Sequence, residues 1–387
     1  MTLTLLFFFT SSLILFSTIG YGLLFTKLFK FENLNYNYGL IGILGLFFLS
    51  VIASFTHIFL PHNYTHNITI ILIGFLSLII IDKKNFEKLK YVIIIFSLLF
   101  VCILMSKTNE DFGYYHLPNS LQFAQQKLQF GLGNLNHGFK HISSLFMLMS
   151  LNYLPIFKFY LFNLTNLLFL TFFVTFIIKE IYLRHKKNLN LSNLILCIFL
   201  ILFLGKFSRL AEYGSDISGQ IIISIYFFYF LEFFYNKEIK FDKKITFIKI
   251  SIILITFAIT LKFISVIYAV LLFAFFLLTE KKKEIFLQLL RINYLIIVFV
   301  SIIMFIILNF SATGCLIYPV KKLCFAEKFN WALSSEIINY LNFHYEIWSK
   351  GGIGPGFGVD NQENYIIFFN WVPNWLNVYF SIFNFSQ

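Results

Sequence analysis

Residues 245–278 read ITFIKISIILITFAITLKFISVIYAVLLFAFFLL, an apolar block of 34 residues that divides at Leu261 and Lys262. One membrane-crossing helix needs only about 20 apolar residues. Lys243 and Lys244 lie at one flank of the block and Lys281, Lys282 and Lys283 at the other, so both flanks are basic. Basic segments resist translocation, which puts both flanks on the same side of a membrane. The chain therefore enters, turns at Leu261–Lys262 and returns. An all-α integral membrane protein follows.

The same pattern extends over the whole chain. Of its 387 residues 59% are hydrophobic and 12% are charged, about half the charge of an ordinary soluble domain. Apolar runs separated by charged breaks predict about ten spans, near 5–25, 39–60, 67–81, 91–106, 156–178, 191–205, 220–235, 245–260, 263–278 and 294–311. The 55 Phe residues fit an AT-rich coding composition as well as they fit selection, and no function is read from them. The first run has no basic residue before it and Lys27 and Lys30 after it, so it reads as a retained span and not a signal peptide.

The loops fall into two alternating sets. Segments 26–38, 82–90, 179–190, 236–249 and 279–293 hold 19 of the 30 Lys and Arg residues, and segments 61–66, 107–155, 206–219 and 312–387 hold nine. The first set is expected in the cytoplasm and the second outside, with the N-terminus outside as well. The net charge of +12 then serves orientation, with anionic membrane lipids as its partner and no need of nucleic acid. Three parts are expected. Residues 1–90 form an N-terminal three-span region. Residues 91–311 form a membrane core with a first outer loop at 107–155. Residues 312–387 form an outer C-terminal lid, ending in NVYFSIFNFSQ, where a further span could begin.

The outer segments carry the chemistry. Seven of the eight histidines fall on or near them, together with nine acidic residues, and two of these loops are long. Loops of that length in a compact protein are usually functional. The first reads NEDFGYYHLPNS from Asn109 to Ser120 directly after a span, so Glu110 and Asp111 sit at the membrane surface. They could end a helix or fix topology. Alternatively, they could take a proton from a hydroxyl as general base or hold a divalent cation, Mg or Mn. His116 could bind phosphate or cap a turn. Ser120–Phe130 and Ile142–Leu154 are expected as helices lying along the bilayer.

In the second loop, GKFSRLAEYGSDISGQ, Lys206 and Arg209 are one helical turn apart. They suit a phosphate, or else make an Arg209–Glu212 surface pair beside a snorkelling lysine. Lys262 is a further cation at the same face. Cys315 and Cys324, nine positions apart around Pro319, face the oxidising side and permit a disulfide stapling the lid, whereas Cys102 and Cys197 are expected as buried apolar residues inside spans. The glycine-rich WSKGGIGPGFG reads as a flap. Trp331, Trp348, Trp371 and Trp375 are suited either to sugar stacking or to an interfacial aromatic belt.

NEDFGYYHLP followed by GLGNLNHGFKHISSLF, then RLAEYGSDISGQ, GCLIYPV and WSKGG, resembles in order the outer loops of a bacterial GT-C-like membrane family over about residues 90–375. GT-C glycosyltransferases use polyprenyl-phosphate sugars outside the cytoplasmic membrane. The resemblance implies Asp111 as catalytic base and Glu110 as its neighbour. His116, Lys140, Lys206, Arg209 and Asp216 would lie near the donor phosphate or the acceptor. The implied partners are a polyprenyl-phosphate-sugar donor and a glycan or lipid-linked acceptor in the bacterial cell envelope. In many GT-C enzymes the acidic loop follows the first span; here it follows the fourth, which makes three spans an N-terminal addition. Two other classes remain open: an O-antigen-type envelope polysaccharide polymerase, and a lipid-linked glycan flippase or transporter. The last predicts internal repeats and mid-membrane charge, and neither is found in the sequence.

Overall fold

The computed structural model describes residues 2–31, 37–83, 85–104, 111–185, 191–205, 214, 216–235, 241–277, 279, 282–290, 294–354 and 356–380. The helices are α1 (Thr2–Leu28), α2 (Tyr38–His57), α3 (Tyr64–Ile81), α4 (Phe86–Leu99), α5 (Val101–Leu104), α6 (Leu117–Gln125), α7 (Ser144–Ser150), α8 (Leu164–His185), α9 (Leu191–Gly205), α10 (Asp216–Tyr235), α11 (Phe241–Leu261), α12 (Val270–Leu277), α13 (Lys282–Leu290), α14 (Tyr294–Thr313), α15 (Ser335–Ser349), α16 (Gln362–Ile366) and α17 (Val372–Phe380). One two-residue hairpin, β1 (Ile353–Gly354) with β2 (Phe357–Gly358), is the sheet among the described residues. Among the described residues, seven helical segments are long and apolar enough to cross a membrane: 2–28, 38–57, 64–81, 159–184, 216–235, 241–261 and 294–313. This is the composition of a multi-pass membrane protein. The apolar block that opened the analysis breaks at Lys262, whose extended backbone separates α11 from a 3-10 segment, Phe263–Ala269, leading into α12.

The chain forms two compact units, the first of residues 1–129 and 137–308 and the second of residues 130–136 and 309–387. In the first, small residues let helices approach closely, as membrane helices commonly do. A Cβ on Gly20 would stand 1.8 Å from the Gly74 carbonyl oxygen, so α1 and α3 touch backbone to backbone. Gly39 does the same for α2 against α8, where a Cβ would lie 2.2 Å from the Phe176 nitrogen.

Polar contacts tie the helix ends at two places. At one, Tyr38 donates to Asp82, Asn37 Nδ2 donates to Glu180 Oε1 at 2.9 Å, and Arg184 bridges Glu180 and Glu232. These ends adjoin the lysine-rich segments. At the other, His62 Nδ1 lies 2.6 Å from Ser150 Oγ, Ser143 Oγ donates to the Leu261 carbonyl at 2.7 Å, and Asp216 pairs with Lys262.

Three local expectations are corrected. The helix expected at Ser120–Phe130 runs Leu117–Gln125. Pro118 starts it, and it stops where Gln126 turns extended, after which the Leu128 N–H donates to the His57 carbonyl at 3.0 Å. The helix expected to lie on the bilayer at Ile142–Leu154 is only α7, and all seven of its residues are buried. It has no polar face to offer to water, so it packs within the unit against α2, α6 and α8. Cys197 is exposed on α9 rather than buried, and the Cys102 side chain lies outside the described residues.

In the second unit Cys315 and Cys324 are disulfide-bonded across an antiparallel bridge. Around them Tyr318, Leu333, Ile338 and Leu341 make a small core. The 130–136 segment joins it through Gly131 N–H to the Ser311 carbonyl at 2.8 Å and Asn134 Nδ2 to the Trp331 carbonyl at 2.7 Å. Gly131 turns there with φ 77°, a left-handed conformation that glycine adopts without strain.

Candidate functional site

Asp111 opens a π-helical turn, Phe112–His116, that runs into α6. π-turns are rare and recur at functional sites. Here Leu117 N–H reaches back five residues to the Phe112 carbonyl. Pro118 has no N–H to give the Tyr114 carbonyl, and Gly138 fits against that oxygen, where a Cβ would come to 2.3 Å. Asn119 Nδ2 closes the arrangement, donating to the carbonyls of Tyr115 (2.7 Å) and Gly138 (2.9 Å). The π-turn and the 3-10 turn His137–Lys140 are thereby stitched into one platform.

On it Asp111 is exposed and accepts from Tyr115 Oη at 3.4 Å. His116 is 2% exposed, and neither of its ring nitrogens has a hydrogen-bond partner among the described residues. Its ring meets Tyr115 edge-on at 4.2 Å and Phe146 at 5.6 Å. The Nε2 atoms of His137 and His141 lie 3.3 Å apart, and Tyr115 packs on His141 at 5.3 Å. Lys140 is buried.

The start of α10 comes to the same place. Gly214 lies over the His116 ring, with Cε1 3.7 Å from where its Cβ would be. Asn166 of α8, bonded to Ser218 Oγ at 3.0 Å, directs its amide to the Gly214 carbonyl at 3.5 Å. Two residues on, Asp216 forms an ion pair with Lys262, both side chains being substantially exposed.

Burial pushes His116 down to about 4, against the opposing pull of Asp111 and Asp216. Burial likewise lowers His141 to about 4, helped by the positive charges of Lys140 and Lys262 and by His116. It raises the Tyr115 hydroxyl, with Asp111 and Asp216 adding to the effect, and lowers Lys140. Both imidazoles are therefore neutral at pH 7.

A histidine lowered on folding binds fewer protons folded than unfolded. Its contribution to stability is complete above pH 6.5 and is lost as pH falls toward 4. The loss has a slope of up to about 1.4 kcal/mol per pH unit for each histidine. Thermal unfolding in detergent between pH 7 and 4 should show this acid loss, and His116→Phe should flatten it.

Beside the ion pair a groove of about 410 Å³ runs between α9, α10 and the 3-10 segment after Lys262. Asp216, Lys262 and Gln220 line it together with Phe199, Phe203, Leu202, Ile223 and Ile264. Leu202 and Ile264 are 51% and 59% exposed, so the groove opens along the apolar flank of the helices. A charged head with an apolar tail matches its lining.

Of the residues singled out in the sequence, Asp111, His116, Lys140 and Asp216 come together here. Glu110, Lys206 and Arg209 lie outside the described residues, and Cys315 and Cys324 form the disulfide of the second unit. Sequence reasoning left out Tyr115, His137 and His141. The spacing of four between the two histidines was a visible signal. Among the described residues no group of three or more His, Cys, Asp or Glu side chains is arranged to hold a metal ion.

No curated protein and no solved structure matches the chain. A family described as a domain of unknown function, DUF8201, matches residues 4–386, nearly the entire length, and the chain belongs to that family.

Proposed function

We propose that the protein is a GT-C-type glycosyltransferase that moves a sugar from a polyprenyl-phosphate donor to an envelope glycan or lipid-linked acceptor. The observation that carries this reading is the groove, lined by apolar side chains of α9 and α10 together with the Asp216–Lys262 ion pair, next to the platform that presents Asp111. The isoprenoid tail lies along the groove, where burial of hydrocarbon supplies affinity at about 25 cal/mol per Å² without specifying the sugar. Asp111 takes the proton of the acceptor hydroxyl as its oxygen attacks the anomeric carbon. The bond from that carbon to the phosphate oxygen breaks, and the phosphate leaves with the electron pair, its added charge met by Lys262. The configuration inverts. In this reading His116, neutral at pH 7, gives one hydrogen bond to a substrate oxygen. Lys206 and Arg209 are further cations for the phosphate in this reading, and no step is routed through a metal.

In this reading three shorter segments, 86–104, 191–205 and 263–277, are counted as spans beside the seven long helices. The site then faces the extracytoplasmic side of a bacterial inner membrane, with the N-terminus outside. The test is sugar transfer in membranes carrying wild type or Asp111→Asn, with donor binding measured in parallel.

Lys262 has its own test. Loss of a charge-assisted hydrogen bond costs about 1.5–3 kcal/mol, so Lys262→Gln should weaken donor binding roughly ten- to hundredfold. Asp216→Asn removes the carboxylate that competes with the phosphate for Lys262 and should tighten binding. Opposite signs for the two variants, read by titration with a polyprenyl phosphate, check the assignment; equal losses count against it.

A further inference from the structure

The second unit carries a feature that sugar transfer does not use. Between α16 and α17 the chain makes a tight turn over residues 367–371, and at its crown Phe368 and Phe369 are 86% and 76% exposed. Phe368 is held at φ 49°, a left-handed backbone that bulky residues rarely adopt. The turn is braced from within. Asn370 Nδ2 donates to the Asn364 carbonyl at 2.9 Å, Trp371 Nε1 to the Phe368 carbonyl at 3.0 Å, and Tyr365 Oη to the Lys350 carbonyl at 2.7 Å. These bonds hold the backbone in a shape that turns two aromatic rings away from the unit's own core. Adjacent exposed rings of this kind mark an interaction surface.

We propose that this turn is an interfacial anchor, with Phe368 and Phe369 seated in the lipid at the bilayer surface on the side where α14 ends. The second unit begins at Asn309, so it includes the last residues of the membrane-crossing helix α14, and Cys315, two residues past that helix, is already in its core. The unit therefore starts at the membrane boundary. Trp371 and Trp375, edge to face at 6.0 Å, follow the crown, and Trp concentrates at membrane–water interfaces. Lys350 Nζ, paired with Glu346 Oε1 at 2.6 Å and donating to the Ile366 carbonyl at 3.2 Å, lies 5.8 Å from the Trp371 ring and braces the turn from its inner side. The crown offers Ile367, Phe368 and Phe369 and no polar side chain, which suits hydrocarbon rather than a sugar. The anchor does not depend on the glycosyltransferase reading.

The full chain, reconstituted in phosphatidylcholine vesicles with and without bromine on the acyl chains near the interface, tests it. Bromine quenches tryptophan emission on contact, and comparison with Trp371→Phe/Trp375→Phe isolates the share of those two residues. That share should be quenched in the brominated vesicles. Phe368→Ser/Phe369→Ser should reduce the quenching roughly twofold and make the same emission more accessible to aqueous iodide. An identical Trp371 and Trp375 share in both kinds of vesicle would overturn the anchor. So would bromine-independent emission that a soluble oligosaccharide protects from iodide, which would make the turn a glycan platform.

Discussion

Asp111→Asn is expected to lower sugar transfer by about 10²–10⁴-fold, the range that a positioned general base contributes, with donor binding unchanged. The substitution is nearly isosteric. Its amide oxygen can still accept from Tyr115 Oη, which lies 3.4 Å from the native carboxylate. The π-turn is held by Leu117 N–H, Asn119 and the Gly138 contact, none of which involves the side chain at 111. What the amide cannot do is take a proton from an attacking hydroxyl. Labelled sugar followed from a polyprenyl-phosphate donor into product, in membranes matched for expression, reads the effect directly. Transfer at the wild-type rate would sink the mechanism. Transfer by neither protein, with single repeat units accumulating in a deletion strain, would favour the polymerase class.

The second large effect is on stability. Arg184 bridges Glu180 and Glu232 at the opposite end of the helices, and Glu232 is 1% exposed. The guanidinium also stacks 4.8 Å over the Phe228 ring, so it both neutralises a buried carboxylate and fills space. Removing one partner of a buried pair strands the other, at a cost of about 3–5 kcal/mol, whereas replacing both by apolar residues is often neutral. Arg184→Met should therefore unfold in detergent at a markedly lower temperature than wild type. Arg184→Met/Glu232→Met should recover most of the loss, because the fully buried carboxylate is then gone and the half-buried Glu180 keeps its bond from Asn37 Nδ2. A double variant no more stable than the single would mean that Arg184 acts through packing and not through its charge.

Much of the membrane architecture was legible, because hydropathy and length act locally. The predicted edges of α9, α10, α11 and α14 lie within a few residues of the observed ones, and the break at Lys262 fell where expected. The disulfide was legible from spacing and compartment. Other features depended on non-local packing. An apolar segment in a loop reads the same whether it lies on lipid or inside the protein. For α7 the deciding signal was the want of any charged face in SLFMLMS, which an interfacial helix requires. The π-turn rests on Gly138 fitting against the Tyr114 carbonyl, twenty-four positions away, and no local periodicity reports such a meeting. Tyr115 was hidden for the same reason: it is an unremarkable residue in sequence whose place depends on two separate turns being stitched together. The spacing of His137 and His141 was visible, but their meeting with Tyr115 was not.

The exposed apolar wall of the groove sets the terms on which any ligand arrives. With Leu202 and Ile264 exposed on its flank, a lipid-linked donor of the kind proposed would enter sideways from the bilayer. The quantity that governs occupancy is then the ligand's mole fraction in the bilayer. Diffusion in two dimensions replaces the bulk encounter, and affinities measured in micelles shift with the amount of detergent even when the protein is unchanged.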